Sequence, residues 1–269
     1  MAKRKTVLSD YPRPAFAVDI VVFSVTGEKE NNYRKTPQKK LQVLLIRRGI
    51  EPFKGQWALP GGFVREGETA GEAAARELRE ETGVEGVYIE QLFTFSSPGR
   101  DPRDWVVSSA YLALIPENSV LVSAGDDAAE ADWFTVSSKA AGEDGRQMTF
   151  EGLGARFSAS VRLMHEEPEI LSNDGLAFDH AKIVCLALER LRGKLDYTDV
   201  AMRLLPERFT LSELQQVYEV ILGRKLLAPA FRRKIAGRVE KTGEMHEGAG
   251  HRPSAYFRSV APEAKHMQD

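Results

Sequence analysis

The stretch that decides the fold runs from residue 62 to residue 84 and reads GFVREGETAGEAAARELREETGV. Its small and apolar side chains recur with helical spacing. Thr69 and Glu72 have the spacing of a capping box, and Gly83 is a typical residue for the end of a helix. The sequence therefore predicts a helix over Ala70–Thr82 that is entered from a loop.

Three glutamates of this predicted helix project from one side. Glu77, Glu80 and Glu81 stand at positions i, i+3 and i+4, and like charges at this spacing cost an isolated helix about 0.2 to 0.5 kcal/mol per pair. A bound cation would remove the repulsion, and carboxylate oxygens suit a hard ion such as Mg²⁺ or Mn²⁺. The alternative is a solvated face in which Arg76 and Arg79 pair with the glutamates.

The fixed positions of the stretch form a longer motif, made of Gly62, Glu68, Arg76, Glu77, Leu78, Glu80, Glu81, Gly83 and Val84. The motif resembles the signature of the Nudix hydrolases at every fixed position. The resemblance implies hydrolysis of a nucleoside diphosphate linked to another group, with metal ions orienting water and stabilising phosphoryl charge. It also implies that Glu77 and Glu81 are metal ligands and that Glu80 is a further ligand or the base. Arg76 and Glu68 would form a supporting pair that fixes the loop on the helix.

Apolar, β-branched segments surround the motif. Those that are typical of strands are residues 15–25, 41–46, 87–95, 106–115 and 131–136. Residues 178–191 have the pattern of an amphipathic helix, and His180 near its start is interpreted as structural. Residues 137–174 are polar and glycine-rich and are interpreted as an insertion with a weak hairpin at 150–163. Mixed strands and helices indicate an α/β fold, and the resemblance specifies a mixed-sheet Nudix α/β/α sandwich.

Candidate ligand-binding residues lie in loops and at a strand end beside the motif: Arg48, Trp57, Gly62, Phe63, Arg100, Asp101 and Arg103. Their loops resemble those of ADP-ribose-type Nudix proteins. Arginine suits a diphosphate because its planar fork donates two hydrogen bonds at once. For Trp57 and Phe63, packing in the core is an equally good interpretation, and Arg103 has a solvent-exposed loop position as its alternative.

The last quarter of the chain changes character. Thr210 and Glu213 form a second capping box ahead of a helix over Leu211–Leu222, and Pro229 is suited to open the next helix. Basic residues accumulate here, and the order of helix, turn, helix and glycine-rich segment resembles a winged helix. Residues 231–236 would be the recognition helix and residues 243–258 the wing. The candidate DNA-binding residues are Arg232, Arg233, Lys234 and Arg252.

A Nudix segment followed by a winged helix resembles the Nudix-related transcriptional regulators of NAD metabolism. The resemblance implies ADP-ribose or a related nucleoside diphosphate derivative as ligand, and a homodimer that binds a palindromic double-stranded DNA operator. Because the Nudix motif is intact, the resemblance also implies hydrolysis of ADP-ribose. The expected organisation is an N-terminal tail (1–12), a Nudix domain (13–195) and a small C-terminal winged helix-turn-helix domain (196–269). The alternative is a housekeeping Mg²⁺-dependent ADP-ribose pyrophosphatase whose C-terminal domain serves dimerisation.

Composition is consistent with both functions. The chain has 269 residues and a net charge of −2, so affinity for nucleic acid has to come from a local patch. A single cysteine, Cys185, excludes an internal disulfide and fits a reducing cytosol. No apolar run approaches the ~20 residues needed to span a bilayer. A cytoplasmic protein without membrane contact is therefore expected.

Overall fold

A computed structural model describes residues 11–27, 38–116, 128–246 and 254–260. Most of the predicted N-terminal tail, the middle of the predicted wing and Arg252 lie outside these residues. Within them, no helix is long and apolar enough to cross a bilayer.

One large mixed sheet dominates the described residues. Its strands are β1 (Ala15–Gly27), β2 (Lys39–Arg48), β3 (Trp57–Ala58), β4 (Gly61–Phe63), β5 (Tyr88–Phe95), β6 (Val106–Leu114), β7 (Ala128–Ala140), β8 (Gly145–Gly152), β9 (Ala155–Arg162) and β10 (Glu169–Asn173). Their order is β10-β9-β8-β7-β2-β1-β6-β5, with β3 paired to β2 and β4 to β1. Strand β1 runs parallel to β6, and its other neighbours are antiparallel. Its position in the middle explains its nearly continuous apolar sequence.

Two helices cover opposite faces of this sheet. Helix α1 (Ala70–Thr82) has the predicted bounds, with both hydrogen bonds of the capping box and a left-handed Gly83 at its end. It packs on the face that carries Val18, Ile20 and Val22. Helix α2 (His180–Lys194) packs on the other face, against alternate residues of β1. The predicted α/β/α sandwich is thereby confirmed.

The segment interpreted as an insertion is an extension of the sheet. Strand β7 continues to residue 140, and β8 and β9 form a hairpin whose two-residue turn is Leu153 and Gly154, both with positive φ. The hairpin covers residues 145–162, so the prediction of 150–163 placed its start five residues too late. The inner face of the hairpin contributes Phe150 to the core. Its outer face is polar, and the alternation of apolar and polar residues was too weak to show where the first strand begins.

The C-terminal part is the predicted winged helix. It contains a short 3-10 helix (Val200–Leu204), β11 (Phe209–Thr210), α3 (Leu211–Leu222), α4 (Ala228–Ile235), β12 (Val239–His246) and β13 (Ser254–Ser259). The sheet order is β11-β13-β12. Helix α4 begins three residues before the predicted recognition helix because Pro229 occupies its first turn. The strands of the wing begin at Val239, four residues earlier than predicted.

The two parts share one hydrophobic core. Leu188 and Leu191 of α2 belong to the same buried cluster as Val217, Tyr218 and Ile221 of α3. A main-chain amide of β2 also donates to a glutamine side chain of α3. The winged helix is therefore packed against the Nudix-type sheet.

Candidate functional site

Arg76 is the centre of the hydrogen-bonding network on α1. Its guanidinium donates two bonds to Glu68, of 3.0 and 2.7 Å, and is 10% exposed. The same guanidinium donates to Glu77 at 2.6 Å and to Glu80 at 3.1 Å. A further bond to the Phe63 carbonyl oxygen (3.2 Å) fixes the preceding loop. The bonds from Arg76 lower the pKa of Glu68 to about 2. The predicted supporting pair is therefore present.

Two glycines allow the loop to approach the glutamates closely. The Gly61 amide donates to Glu81 Oε2 at 2.8 Å. A Cβ atom on Gly62 would lie 2.3 Å from Glu77 Oε1, which is far inside contact distance. A side chain at position 62 would therefore displace the Glu77 carboxylate from its present position.

The donor set on this face fits a hard divalent ion that keeps other ligands. Glu77, Glu80 and Glu81 supply only carboxylate oxygens, which are the ligands that Mg²⁺ prefers. Among the described residues, however, no three acidic, histidine or cysteine side chains converge into a complete cage. Arg76 also accounts for one bond each to Glu77 and Glu80. An ion here would need water or phosphate oxygens to complete its shell, as Mg²⁺ commonly does.

An open cleft of about 240 Å³ adjoins the glutamate face. Its lining combines cationic, aromatic and acidic side chains: Asp19, Arg48, Phe63, Glu81, Arg100, Arg103, Phe178 and His180. Gly62 and Asp101 also line it. The structure thus brings Arg48, Gly62, Phe63, Arg100, Asp101 and Arg103 together as the sequence predicted.

A buried charge cluster forms one wall of the cleft. Arg100 donates to both oxygens of Asp179, at 3.0 and 2.8 Å, and to Asp19 at 3.1 Å. Only 6% of the Arg100 side chain is exposed. Burial opposes ionisation of Asp19, but His180, Arg100 and Ser108 together hold its pKa below the ordinary value. Arg100 is therefore a counter-ion within the wall; it also lines the cleft, and its contact with a ligand stays a prediction.

His180 is the first residue of α2 and lines the same cleft. Its hydrogen bonds agree with the structural role that the sequence predicted. Its Nδ1 accepts the Leu59 amide at 2.8 Å, and its Nε2 lies 3.3 Å from Asp19 Oδ1. Because Nδ1 is an acceptor, the ring proton is on Nε2 and points to Asp19. His180 therefore links α2 to the segment that precedes Gly61.

Two arginines flank an aromatic ring at the mouth of the cleft. The guanidinium carbon of Arg48 lies 4.8 Å from the centre of the Phe178 ring, and that of Arg103 lies 5.6 Å away. Phe178 has a φ of 51°, an unfavourable left-handed conformation for this residue type. Asp101 accepts a 2.6 Å bond from Arg103 and so orients it. The mouth thus combines positive charge with an aromatic surface, a combination suited to a nucleoside diphosphate.

The two aromatic candidates differ in position. Trp57 is 9% exposed and packs edge-on against Phe134, with ring centres 4.6 Å apart. It belongs to the core and is not among the residues that line the cleft, which favours the packing interpretation of Trp57 over a ligand contact. Phe63 is 45% exposed at the rim, 5.4 Å from Arg103. The two residues lie on different strands: Trp57 is on β3, which pairs with β2, and Phe63 ends β4, which pairs with β1.

A second candidate surface lies on α4. Phe231 and Ile235 are buried, so the exposed side of the helix carries Arg232 and Arg233. Lys234 instead donates to Asp196 at 2.6 Å and lies 5.6 Å from the Tyr218 ring centre. The two arginines are therefore exposed to solvent, and Lys234 is exposed as well but forms a surface ion pair with Asp196.

Sequence reasoning missed Asp19, Phe178 and Asp179 as parts of the site. Asp19 carried a usable signal, since it is the single charged residue of β1 and stands between Val18 and Ile20. Asp179 gave no such signal because its partner is 79 residues away. The backbone conformation of Phe178 cannot be inferred from residue type.

Comparison with known proteins agrees with this arrangement. The NUDIX domain model matches residues 18–148, and the model of the NrtR DNA-binding winged helix domain matches residues 201–259. The ADPR responsive transcriptional repressor NtrR of Acinetobacter baylyi is 35% identical over 254 residues, which cover 93% of this chain and 84% of that protein. An ADP-ribose pyrophosphatase of Methanocaldococcus jannaschii is 42% identical over 127 residues, covering 47% of this chain and 65% of that protein.

A solved structure of Shewanella oneidensis NrtR complexed with a 27mer DNA has a TM-score of 0.64 and 30% identity, covering 91% of this chain and 93% of that one. Both domain models and a relative matched over most of its length therefore point to one family. The chain belongs to the family of NrtR-type proteins, in which a Nudix domain is followed by a DNA-binding winged helix.

Proposed function

We propose that this protein is a DNA-binding transcriptional regulator, of the repressor type, that responds to ADP-ribose or a related nucleoside diphosphate derivative. One observation carries the proposal: a cleft with arginines at its mouth and a helix with outward-facing arginines belong to one continuous core. Residues 13–195 would form the ligand-binding unit and residues 196–269 the DNA-binding unit. As a regulator of transcription it would act in the cytoplasm as a homodimer.

We propose in addition that the same site hydrolyses ADP-ribose to AMP and ribose 5-phosphate. Water would add across the diphosphate linkage, so each product keeps one phosphate. Bound Mg²⁺ or Mn²⁺ would orient that water and stabilise phosphoryl charge. Glu77 and Glu81 are suited to hold the ion, Glu80 to hold it or accept a proton, and Arg76 with Glu68 to keep α1 and the loop in register. The intact motif supports this activity.

The arrangement of α4 favours a regulator over the housekeeping alternative. Arg232 and Arg233 point away from the core, and a helix that served only dimerisation would not need two adjacent exposed guanidiniums. In a winged-helix dimer the recognition helices lie in successive major grooves, so half-sites should be about 10 bp apart or a multiple of that. Arg252 is proposed as a further DNA contact, and Lys234 is expected to contribute less than its neighbours because DNA binding would have to break its surface pair with Asp196.

A selection experiment tests the DNA-binding function. Duplexes of random sequence are enriched with the wild-type protein, and the selected sites are then measured by fluorescence anisotropy. Replacing Arg232 or Arg233 with Ala should weaken binding by roughly 1 to 3 kcal/mol if the residue reads a base. Arg47→Ala, at an exposed position on the Nudix sheet, is the matched control and should bind normally.

Two outcomes separate the functions. A palindrome with fixed half-site spacing, whose affinity changes with ADP-ribose, supports the regulator. Binding that ignores both spacing and ADP-ribose, together with efficient turnover of ADP-ribose in Mg²⁺, would support the housekeeping enzyme and contradict the regulator.

A further inference from the structure

Helix α2 is in contact with both functional parts of the molecule. Its 15 residues span about 22 Å. Its first turn forms a wall of the ligand cleft, and its last turn packs against the winged helix. It is therefore a direct physical connection between the cleft and the DNA-binding unit.

The cleft end of α2 is held by charge. Asp179, which precedes the helix, receives two hydrogen bonds from Arg100. His180 accepts the Leu59 amide and thereby contacts the segment that leads to Gly61. Lys182, one turn further, pairs with Asp179 at 3.1 Å. A ligand that contacts the arginines or the loop of the cleft thus acts on groups that hold the start of α2.

Arg192 holds the other end of the helix. Its Nε donates to the Ile221 carbonyl oxygen at 2.8 Å, and its Nη2 donates to the Ser138 carbonyl oxygen at 3.2 Å. Ile221 lies in the last turn of α3, where carbonyl groups lack partners within the helix and a cation is favoured. Glu189 accepts from Arg192 Nη1 at 2.6 Å and fixes its orientation. One guanidinium therefore joins α2, the sheet extension and the C-terminal end of α3.

The rest of α2 is packed so that it has to move as a unit. Leu188 and Leu191 are buried between the sheet and α3. Arg146 of β8 pairs with Glu189 at 3.1 Å. Closely packed helices shift between discrete positions and do not bend gradually. A displacement at the cleft would accordingly reach Arg192 and, through the Ile221 carbonyl, α3.

We infer that α2 couples the ligand cleft to the winged helix. Arg192 is the positioning residue: when α2 moves, its bond to the Ile221 carbonyl oxygen moves α3 as well. The inference rests on the proposed function, since it assumes that ligand and DNA binding are coupled. Arg192 lies neither among the residues that line the cleft nor on α4. Its role is to fix where α3, and with it α4, stands relative to the sheet.

The test compares two arginines of the same helix. Arg192→Met removes the bonds to α3 and keeps an apolar stem. Arg190→Met is the matched control, because Arg190 donates to the Leu92 carbonyl oxygen of β5, within the large sheet and away from α3. For each protein, the coupling factor is the ratio of DNA dissociation constants with and without saturating ADP-ribose, measured in EDTA with a duplex selected by the wild type. Calorimetry of ADP-ribose binding without DNA is measured in parallel.

The inference predicts a coupling factor of roughly 5- to 150-fold in the wild type and in Arg190→Met, in the usual range for allosteric proteins. In Arg192→Met the factor should fall to about twofold or less, while ADP-ribose affinity without DNA stays within about twofold of wild type. Hydrogen exchange adds a structural readout: ADP-ribose should change the protection of amides in the last turn of α3 in the wild type and not in Arg192→Met.

The other possible results would contradict either the proposed function or the inference alone. If wild-type DNA binding ignores ADP-ribose, the proposed function fails and the inference fails with it. If the wild type responds and Arg192→Met responds equally, or if Arg190→Met loses coupling to the same extent, only the inference fails. Should Arg192→Met not fold, Arg192→Lys is compared with Arg190→Lys, and an undiminished coupling factor in Arg192→Lys would overturn the inference.

Discussion

Replacement of Arg100 should reveal how much the wall of the cleft depends on one guanidinium. Arg100→Met removes the positive charge that faces Asp19 and Asp179, whose side chains are 12% and 9% exposed. Breaking a buried pair by removing one partner destabilises proteins by about 3 to 5 kcal/mol. Asp19 keeps a 2.6 Å bond from Ser108, and Asp179 keeps Lys182. We therefore expect a loss near the lower limit, about 3 kcal/mol, in urea unfolding at neutral pH.

The pH dependence of this loss has a definite sign. The pKa of Asp19 in the folded protein is below its ordinary value, so its contribution to stability is present above about pH 4 and is lost as the pH falls through the folded value. Without Arg100 that contribution is reduced. The difference in unfolding free energy between wild type and Arg100→Met should therefore shrink between neutral pH and about pH 3.

A surface arginine provides the control. Arg47 pairs with Glu130 at 3.5 Å, and both side chains are about half exposed, so Arg47→Met should cost less than about 1 kcal/mol. Adding Asp179→Asn to Arg100→Met should restore part of the lost stability, because it removes a buried carboxylate that has lost both hydrogen bonds from Arg100 and keeps only Lys182. A loss in Arg100→Met no larger than in Arg47→Met, or one that does not change with pH, would refute the reasoning.

Three further predictions concern single positions. Glu77→Gln should lower metal-dependent hydrolysis by at least about 100-fold, measured by AMP release, because an amide cannot replace an anionic ligand; equal activity of variant and wild type would contradict it. Gly62→Ala should leave the melting temperature nearly unchanged and lower turnover by about 100-fold, because its Cβ would displace the Glu77 carboxylate. Burial raises the pKa of the Cys185 thiol to about 12, so a disulfide reagent at pH 8 should label it only after unfolding, and rapid labelling of the folded protein would show that this part of the core opens.

Local signals predicted much of the fold. The capping boxes at Thr69 and Thr210, with left-handed glycines at the other ends, set the bounds of α1 and α3 at the predicted residues. These signals depend on groups within four residues of each other. The extension of the sheet was harder to predict, because its buried face depends on strands that are distant in the sequence, as where Gln42 of β2 pairs with Thr135 of β7.

The same difference between local and long-range contacts decides which parts of the site could be predicted. The bonds of Arg76 join residues that the motif already groups, so the sequence predicted them. The wall of the cleft joins Asp19 and Arg100 with Asp179, which are separated by about 80 residues in each step. Nothing in the residues next to Arg100 indicated that its guanidinium would form ion pairs with two buried aspartates. For Trp57 the sequence left ligand contact and core packing equally open, because its burial against Phe134 depends on strand pairing.

The most direct test of the central claim is the reciprocity of the two ligands. ADP-ribose affinity is measured by calorimetry on the wild-type protein in EDTA, first alone and then saturated with its selected palindromic duplex. If the cleft and the winged helix are coupled, DNA must change ADP-ribose affinity by the same factor, roughly 5- to 150-fold, by which ADP-ribose changes DNA affinity. Equal ADP-ribose affinity with and without DNA would contradict the account, because the two sites would then be independent.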